Sequence, residues 1–313
     1  MGRGKTSESR DVTGNPFAEP AMKKLLFQFD TDPLPAVFDN VVGYDGGADH
    51  ISAYGGIDGA NVGGLVEGAI FTRGPKDKKN TAIFIGGGNL SKGDSVLAAV
   101  RAKFFGNFRV SVMFDSNGSN TTAAAAVAWL AHGRSLAGKR AVVLGGSGPV
   151  GQRAAVLLAR EGATVCITGR KRAVAQAACD SILARFGTHV QALEAPSNVE
   201  RAAAVDGAQV VIATGAAGIT LLDAQTWQSS TSLELVADAN ASPPAGIEGV
   251  GISDRGTISH GKVLFGPLGF GALKLALHRA CIARLFERND LVLDAEEIYA
   301  IAKTMVGENA QKP

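Results

Sequence analysis

The chain has 313 residues, of which 46% are hydrophobic and 19% charged, with a formal net charge of +2. This composition excludes a largely disordered chain and lacks the basic stripe of a nucleic-acid binder, and the length suits two domains. No apolar run reaches the ~18–20 residues that span a membrane, so a cytoplasmic protein with no membrane partner is expected.

Residues 1–21 are polar and aperiodic and read as a disordered extension. Gly4-Lys5-Thr6 ends like a phosphate loop but has no upstream glycine and no preceding strand, and Gly2 with Thr6 matches only the loose myristoylation pattern. From Met22 the pattern changes. Leu25 to Phe29 reads as a strand, followed by glycine-rich turns at Gly43 to His50 and Gly55-Gly56. Thr81 to Ile85 is a second strand, closing on Gly86-Gly87-Gly88, and Gly93 to Phe105 has helical apolar spacing. Val110 to Phe114 is a third strand. The loop Asp115 to Asn120 is suited to cap an alanine-rich helix over Thr121 to His132, which joins two closely packed domains.

The second half alternates strand and helix, as a parallel sheet requires. Strands are expected at Arg140 to Leu144, Thr164 to Thr168, Val190 to Glu194, Gln209 to Thr214 and Leu233 to Ala237. Helices are expected at Pro149 to Glu161, Ala173 to Phe186 and, after the loop Gly266 to Gly271, at Ala272 to Glu287. A last helix starts near Asp294, its expected cap, with Glu296 and Glu297 in the first turn. Cys166, Cys179 and Cys281 and the five histidines make no metal-ligand spacing, so no metal is expected.

Gly146-Ser147-Gly148-Pro149-Val150-Gly151 follows the strand Ala141 to Leu144 and opens a helix, the context a dinucleotide site needs. Gly146 permits the turn, Gly148 admits a pyrophosphate, Gly151 lets helix and strand pack, and Pro149 suits the first helical turn. The helix N-terminus with Val150 offers free N–H groups to phosphate. An NAD enzyme places an acid at the end of the next strand. Here Gly169-Arg170-Lys171-Arg172 stands instead, so Arg170 and Lys171, with Ser147, are expected to hold the 2′-phosphate of NADP. Thr214, Gly215 and Ala216, and Asp238 and Asn240, end the next two strands and are expected to line the cofactor.

Four strings outside this motif carry a resemblance: Phe27-Gln28-Phe29-Asp30-Thr31-Asp32, Gly43-Tyr44-Asp45-Gly46-Gly47-Ala48-Asp49-His50, Asp115-Ser116-Asn117-Gly118-Ser119-Asn120-Thr121-Thr122 and Leu273-Lys274. With them the chain, from about Met22 to Met305, resembles the NADP-dependent methylene-tetrahydromethanopterin dehydrogenases of methylotrophic bacteria. The N-terminal residues and the short tail depart from that pattern. The resemblance implies an α/β protein of two domains. A Rossmann-like NADP domain with a parallel sheet, here 118–287, is inserted into a smaller α/β pterin domain, here 22–117 plus 288–313. It also implies oxidation of methylene-tetrahydromethanopterin to the methenyl form in one-carbon metabolism, with methylene-tetrahydrofolate as an alternative substrate. A homo-oligomer is expected.

Hydride loss alone converts methylene to methenyl, so no general base is demanded. The site must place two rings about 3–3.5 Å apart and suit a developing cation. Asp30, Asp45, Asp49, His50, Asn117 and Asn120 are candidate pterin contacts, because carboxylates and carboxamides match the amide-like pterin edge. Asp45 and Lys274 are the candidate catalytic residues, acting by placement and charge, with Lys274 facing the cleft from a helix start. Tyr44 and Tyr54 have no lysine at the spacing of a cyclohydrolase pair. An NADPH sensor without turnover is the competing non-enzymatic reading, and the polar loops of the first domain oppose it.

Overall fold

The computed structural model describes residues 22–310, so the expected disordered extension and the two short motifs within it lie outside the described residues. Two sheets form the frame. The first is built from β1 (Leu25–Asp30), β2 (His50–Tyr54), β3 (Thr81–Gly86) and β4 (Ser111–Phe114), interleaved with α1 (Val37–Asp45), α2 (Gly63–Phe71) and α3 (Leu90–Ala102). Then α4 (Ser119–Ala131) leads to β5 (Arg140–Leu144), α5 (Pro149–Arg160), β6 (Thr164–Gly169), α6 (Arg172–Phe186), β7 (Gln191–Glu194), α7 (Asn198–Val205), β8 (Val210–Ala213), α8 (Ala224–Ser229) and β9 (Leu235–Asp238). A hairpin of β10 (Arg255–Ser259) and β11 (Lys262–Phe265) precedes α9 (Pro267–Leu285), β12 (Val292–Leu293) and α10 (Ala295–Ala310).

The larger sheet has the order β10-β11-β9-β8-β5-β6-β7 and is parallel except for β10. Without β10 this is the doubly wound Rossmann order, whose switch point lies between β5 and β8. The smaller sheet is parallel, in the order β12-β4-β3-β1-β2, and its switch point lies between β1 and β3. Central strands such as β3, β5 and β8 are buried along their length, which is why they read as unbroken apolar runs. In the larger sheet the expected strands fall within a residue or two of those observed.

Several elements escape the sequence pattern, among them α7, α8, the β10–β11 hairpin and β12, for which no element was expected. The helix α1 and the strand β2 occupy a stretch read mainly as glycine-rich turns, and α2 has apolar residues on several faces. The expected helix at Ala272 starts earlier, at Pro267, where proline fits the first turn. Asp294 precedes α10 as expected, but its carboxylate does not cap it; the oxygens accept from Asn120 Nδ2 at 3.0 Å and Arg185 at 2.6 Å.

A buried hub joins the two sheets. Arg153 of α5 is 1% exposed, lies over the rings of Phe114 and Phe186, and donates to Asn120 Oδ1 at 2.9 Å and to Asp94 at 3.0 Å. Asn120 in turn donates to the Phe114 carbonyl at 2.6 Å. Arg153→Ala therefore strands the buried Asn120 Oδ1, leaves Asp94 to Arg185 alone and opens a cavity. A loss of about 3 kcal/mol in unfolding free energy is expected, read as a lower denaturant midpoint; an unchanged midpoint would show the hub to be idle.

Candidate active site

The carboxyl end of β5 enters a glycine turn that differs in detail from the expected one. Gly145, at φ 65°, takes the left-handed position, and its N–H donates to Thr168 Oγ1 at 3.1 Å. Gly146 is small for another reason: a Cβ there would sit 2.6 Å from the Cβ of Ile167 on β6. Gly151 is pressed in the same way, since its Cβ would lie 2.5 Å from Gly146 Cα and 2.6 Å from Thr214 Oγ1. Gly148 is the opposite case. Its Cβ would meet nothing nearer than 3.7 Å, so the missing side chain leaves a free face rather than filling a tight one. That free face opens on a cleft of about 640 Å³, lined by Ser147, Gly148, Pro149, Val150, Thr214, Gly215 and Ala216. Gly146 and Gly151 lie beneath it and shape the turn.

An adjoining cavity of about 500 Å³ is lined by Ser147, Arg170, Lys171 and Val174. The three groups expected to hold a phosphate thus face one space. The start of α6 has an acidic partner of its own, since Glu194 at the end of β7 accepts from the Arg172 N–H at 2.8 Å. Arg201 was missed by the sequence reading. It borders the main cleft while donating to the carbonyls of Leu221 and Pro196, and no local motif marks it.

Asp238 and Asn240 occupy a separate cleft with Ser242 and Pro267. The buried Asp238 carboxylate accepts from the N–H groups of Asn240 at 2.9 Å and Ile247 at 3.0 Å. Asn240 donates to the Pro244 carbonyl at 3.0 Å and accepts from the Ser242 N–H at 3.1 Å. Both side chains shape the loop after β9 instead of facing the main cleft.

The candidates of the first sheet divide sharply by position. Asp45 ends α1 and pairs with Arg279 at 2.8 Å on the surface. Asp49 accepts from the Lys24 N–H at 2.7 Å, and His50 begins β2. All three sit at the amino end of the sheet, away from the crevice at its carboxyl end. Asp30 ends β1 at that crevice, but its oxygens accept from the N–H groups of Asp32 and Ala36, each at 2.9 Å. The Asn120 amide is spent in the hub described above. Asn117 is different. It adopts a left-handed backbone at φ 54° and borders the cofactor cleft together with Gly148 and Thr214.

Lys274 lies well inside α9, and its ammonium sits 4.1 Å over the Phe38 ring, close to Gly118. Around it are groups the sequence reading did not single out. Asp115, fully buried, caps α4 by accepting from the N–H groups of Asn120 and Thr121 and from the Thr121 hydroxyl. His278 stacks on Phe84 at 5.3 Å, and its two ring nitrogens have no hydrogen-bond partner. Burial holds its pKa down at about 4, against the pull of Asp115. Asp39 of α1 lies at the carboxyl end of β3, where a side chain on Gly86 would come within 3.1 Å of it. Burial, then Asp115, push its pKa up to about 7, while Lys274 opposes the rise.

The comparisons with known proteins agree with this architecture. The family model described as methylene-tetrahydromethanopterin dehydrogenase, N-terminal, matches residues 37–117. Quinate dehydrogenase from Corynebacterium glutamicum, solved in complex with NAD, shares the fold at a TM-score of 0.50 and 14% identity, over 91% of this chain and 99% of that one. Bifunctional protein MdtA of Methylorubrum extorquens is 58% identical over 90% of this chain and 99% of its own length. From the same organism, an NAD(P)-dependent methylenetetrahydromethanopterin dehydrogenase is 33% identical over 86% of this chain and 94% of its own length. With such identity across nearly the whole of both relatives, the chain belongs to the methylene-tetrahydromethanopterin dehydrogenase family.

Proposed function

We propose that the protein oxidises methylene-tetrahydromethanopterin to the methenyl form with NADP, reversibly, by direct hydride transfer. The observation that carries the cofactor choice is the convergence of Ser147, Arg170 and Lys171 on one cavity beside the glycine turn. The residues present fit the cofactor: Gly148 has a free face, the N-terminus of α5 points its unpaired N–H groups at the cleft, and two cations wait where a 2′-phosphate would lie. When bound, NADP supplies the hydride acceptor. The chain holds it in place, with Thr214 to Ala216 bordering its cleft and Asn117 standing where the cofactor cleft meets the first sheet.

The pterin is assigned to the carboxyl end of the smaller sheet, between α1 and the first half of α9. Lys274 is the cation facing this region, and it acts by charge and placement, since no proton moves in the oxidation itself. The assignment treats 22–117 with 288–313 as the pterin unit and 118–287 as the NADP unit; pairing of β12 with β4 supports the return of the chain end to the first unit. Activity on methylene-tetrahydrofolate, a homo-oligomeric state and a cytoplasmic location belong to the same proposal. No helix among the described residues is long and apolar enough to cross a membrane.

The test is the rate of NADPH formation from methylene-tetrahydromethanopterin and from methylene-tetrahydrofolate, each with NADP and with NAD. Turnover of the methanopterin with NADP is expected. Tight NADPH binding without turnover of either pterin would replace the enzyme with a sensor.

A further inference from the structure

In a parallel sheet the crevice that receives a ligand opens outside the carboxyl ends of the strands, where neighbouring crossovers leave on opposite faces. In the smaller sheet that point lies between β1 and β3. Four acidic side chains stand around it, and three are committed to the fold. Asp30 holds the loop after β1, Asp32 accepts from the Gly88 N–H at 2.8 Å, and Asp115 caps α4. Asp39 is the fourth. Among the described residues its carboxylate accepts no hydrogen bond and makes no ion pair, although Lys274 is near enough to influence it. It stands beside Gly86, a position where a side chain would crowd it, and the adjacent aromatic rings are those of Phe38 and Phe84.

We infer that Asp39 is the residue that recognises the substrate's pterin ring, its two oxygens accepting from the ring's amino group and adjacent ring N–H. A carboxylate matches that pair of donors as it matches a guanidinium fork, and a half-buried one without other partners forms the bonds with little reorganisation. This rests on the pterin reading above and moves the recognition role from Asp45 and Asp49 to a residue at the opposite end of α1.

The inference has a signature in pH. The charged groups acting on Asp39 are Lys274 from α9, Asp30 from β1 and Asp115 beyond β4, and His278 of α9 lies against the neighbouring Phe38 ring. Together with burial they leave its pKa at about 7 before a ligand arrives. Hydrogen bonds from the pterin favour the ionised form. Pterin affinity is therefore constant above pH 7 and weakens by roughly tenfold per pH unit below it, and binding near pH 7 releases a proton. For the ligand-free protein the sign is reversed. A carboxyl whose folded pKa is raised stabilises the fold at acid pH, and that contribution is lost as pH rises through 7. Asp39→Asn is thus expected to make the ligand-free protein more heat-stable at about pH 8 while weakening pterin binding.

The experiment measures KM for methylene-tetrahydromethanopterin and for NADP between about pH 5.5 and 8 in the native enzyme and in Asp39→Asn. Expected are a rise of about 10- to 100-fold in the pterin KM at the alkaline end, a flattened pH profile and an unchanged NADP KM. A variant that keeps the native pterin KM and pH profile overturns the inference while leaving the proposed reaction intact. A native enzyme that turns over neither pterin defeats the substrate reading, and this one with it. Should the variant fail to fold, calorimetry of the native enzyme with methenyl-tetrahydromethanopterin at pH 7, in buffers of differing ionisation enthalpy, decides: proton release supports the inference, and its absence overturns it.

Discussion

Valine at position 151 is expected to abolish NADP binding. The added Cβ lands 2.5 Å from Gly146 Cα, 2.8 Å from the Gly146 carbonyl and 2.6 Å from Thr214 Oγ1, and two of these three neighbours are backbone. The backbone cannot rotate aside as a long side chain would, so the glycine turn must retreat from α5. Overpacking of this kind costs about 1–3 kcal/mol of stability. The larger effect falls on the cofactor, because a displacement of about 1 Å at a positioning element costs on the order of 100-fold in rate. Thr214, which donates from its hydroxyl to the Leu144 carbonyl at 3.1 Å, would be pushed off the same strand end. Fluorescence titration with NADPH and circular dichroism read the two effects separately. Native affinity in the variant would show that helix and turn have slack that the distances do not allow.

Alanine at Arg170 is expected to raise KM for NADP by about 10- to 150-fold, the equivalent of one charge-assisted hydrogen bond worth ~1.5–3 kcal/mol. KM for NAD should scarcely change, and removing Lys171 as well should erase most of the preference. The structure makes this a clean measurement. Arg170 and Lys171 are both exposed, and α6 keeps its first N–H partner through Glu194 whether or not a phosphate is bound. A loss shared equally by the two cofactors would mean that the pair supports the fold and does not read the phosphate.

The larger sheet was legible because its signals are local. The strands β5, β6, β8 and β9 hold short apolar runs, and the glycine motif stands between a strand and a helix; the β10–β11 hairpin, whose β10 is RGTIS, was not expected. The three central strands of the smaller sheet, β4, β3 and β1, were legible, but its edge strands β12 and β2 and its site were not, and one element explains why the site was missed. The apolar residues of α1 include Val37, Phe38 and Val41, which stay exposed, so no single buried stripe announced a helix. With α1 read as a loop, Gly43 to His50 seemed to follow the carboxyl end of β1. A helix of 9 residues carries the chain about 13 Å back along the sheet, to the opposite end. The polar cluster at Asp45, Asp49 and His50 is therefore a turn and a surface pair. Asp39, four residues from the apparent loop, was passed over. The spacing Val37-Phe38 and Val41-Val42 held the missing signal. Asp30 and Asn120 illustrate a second limit. Their residue types suited a ligand, but each had been claimed by the backbone or by the hub, which only coordinates reveal.

The pairing of β12 with β4 also orders events at the ribosome. Ser111 at the start of β4 donates to the carbonyl of Arg288, 177 residues later in the chain. Every strand of the larger sheet, from Arg140 to Phe265, emerges between these two partners. The larger sheet can therefore close on contiguous chain while the smaller one still lacks its edge strand and the β4 edge beside it stays bare. An unpaired edge in a parallel sheet invites pairing with another chain. The nascent protein thus carries its most vulnerable surface for longest in the half that was made first.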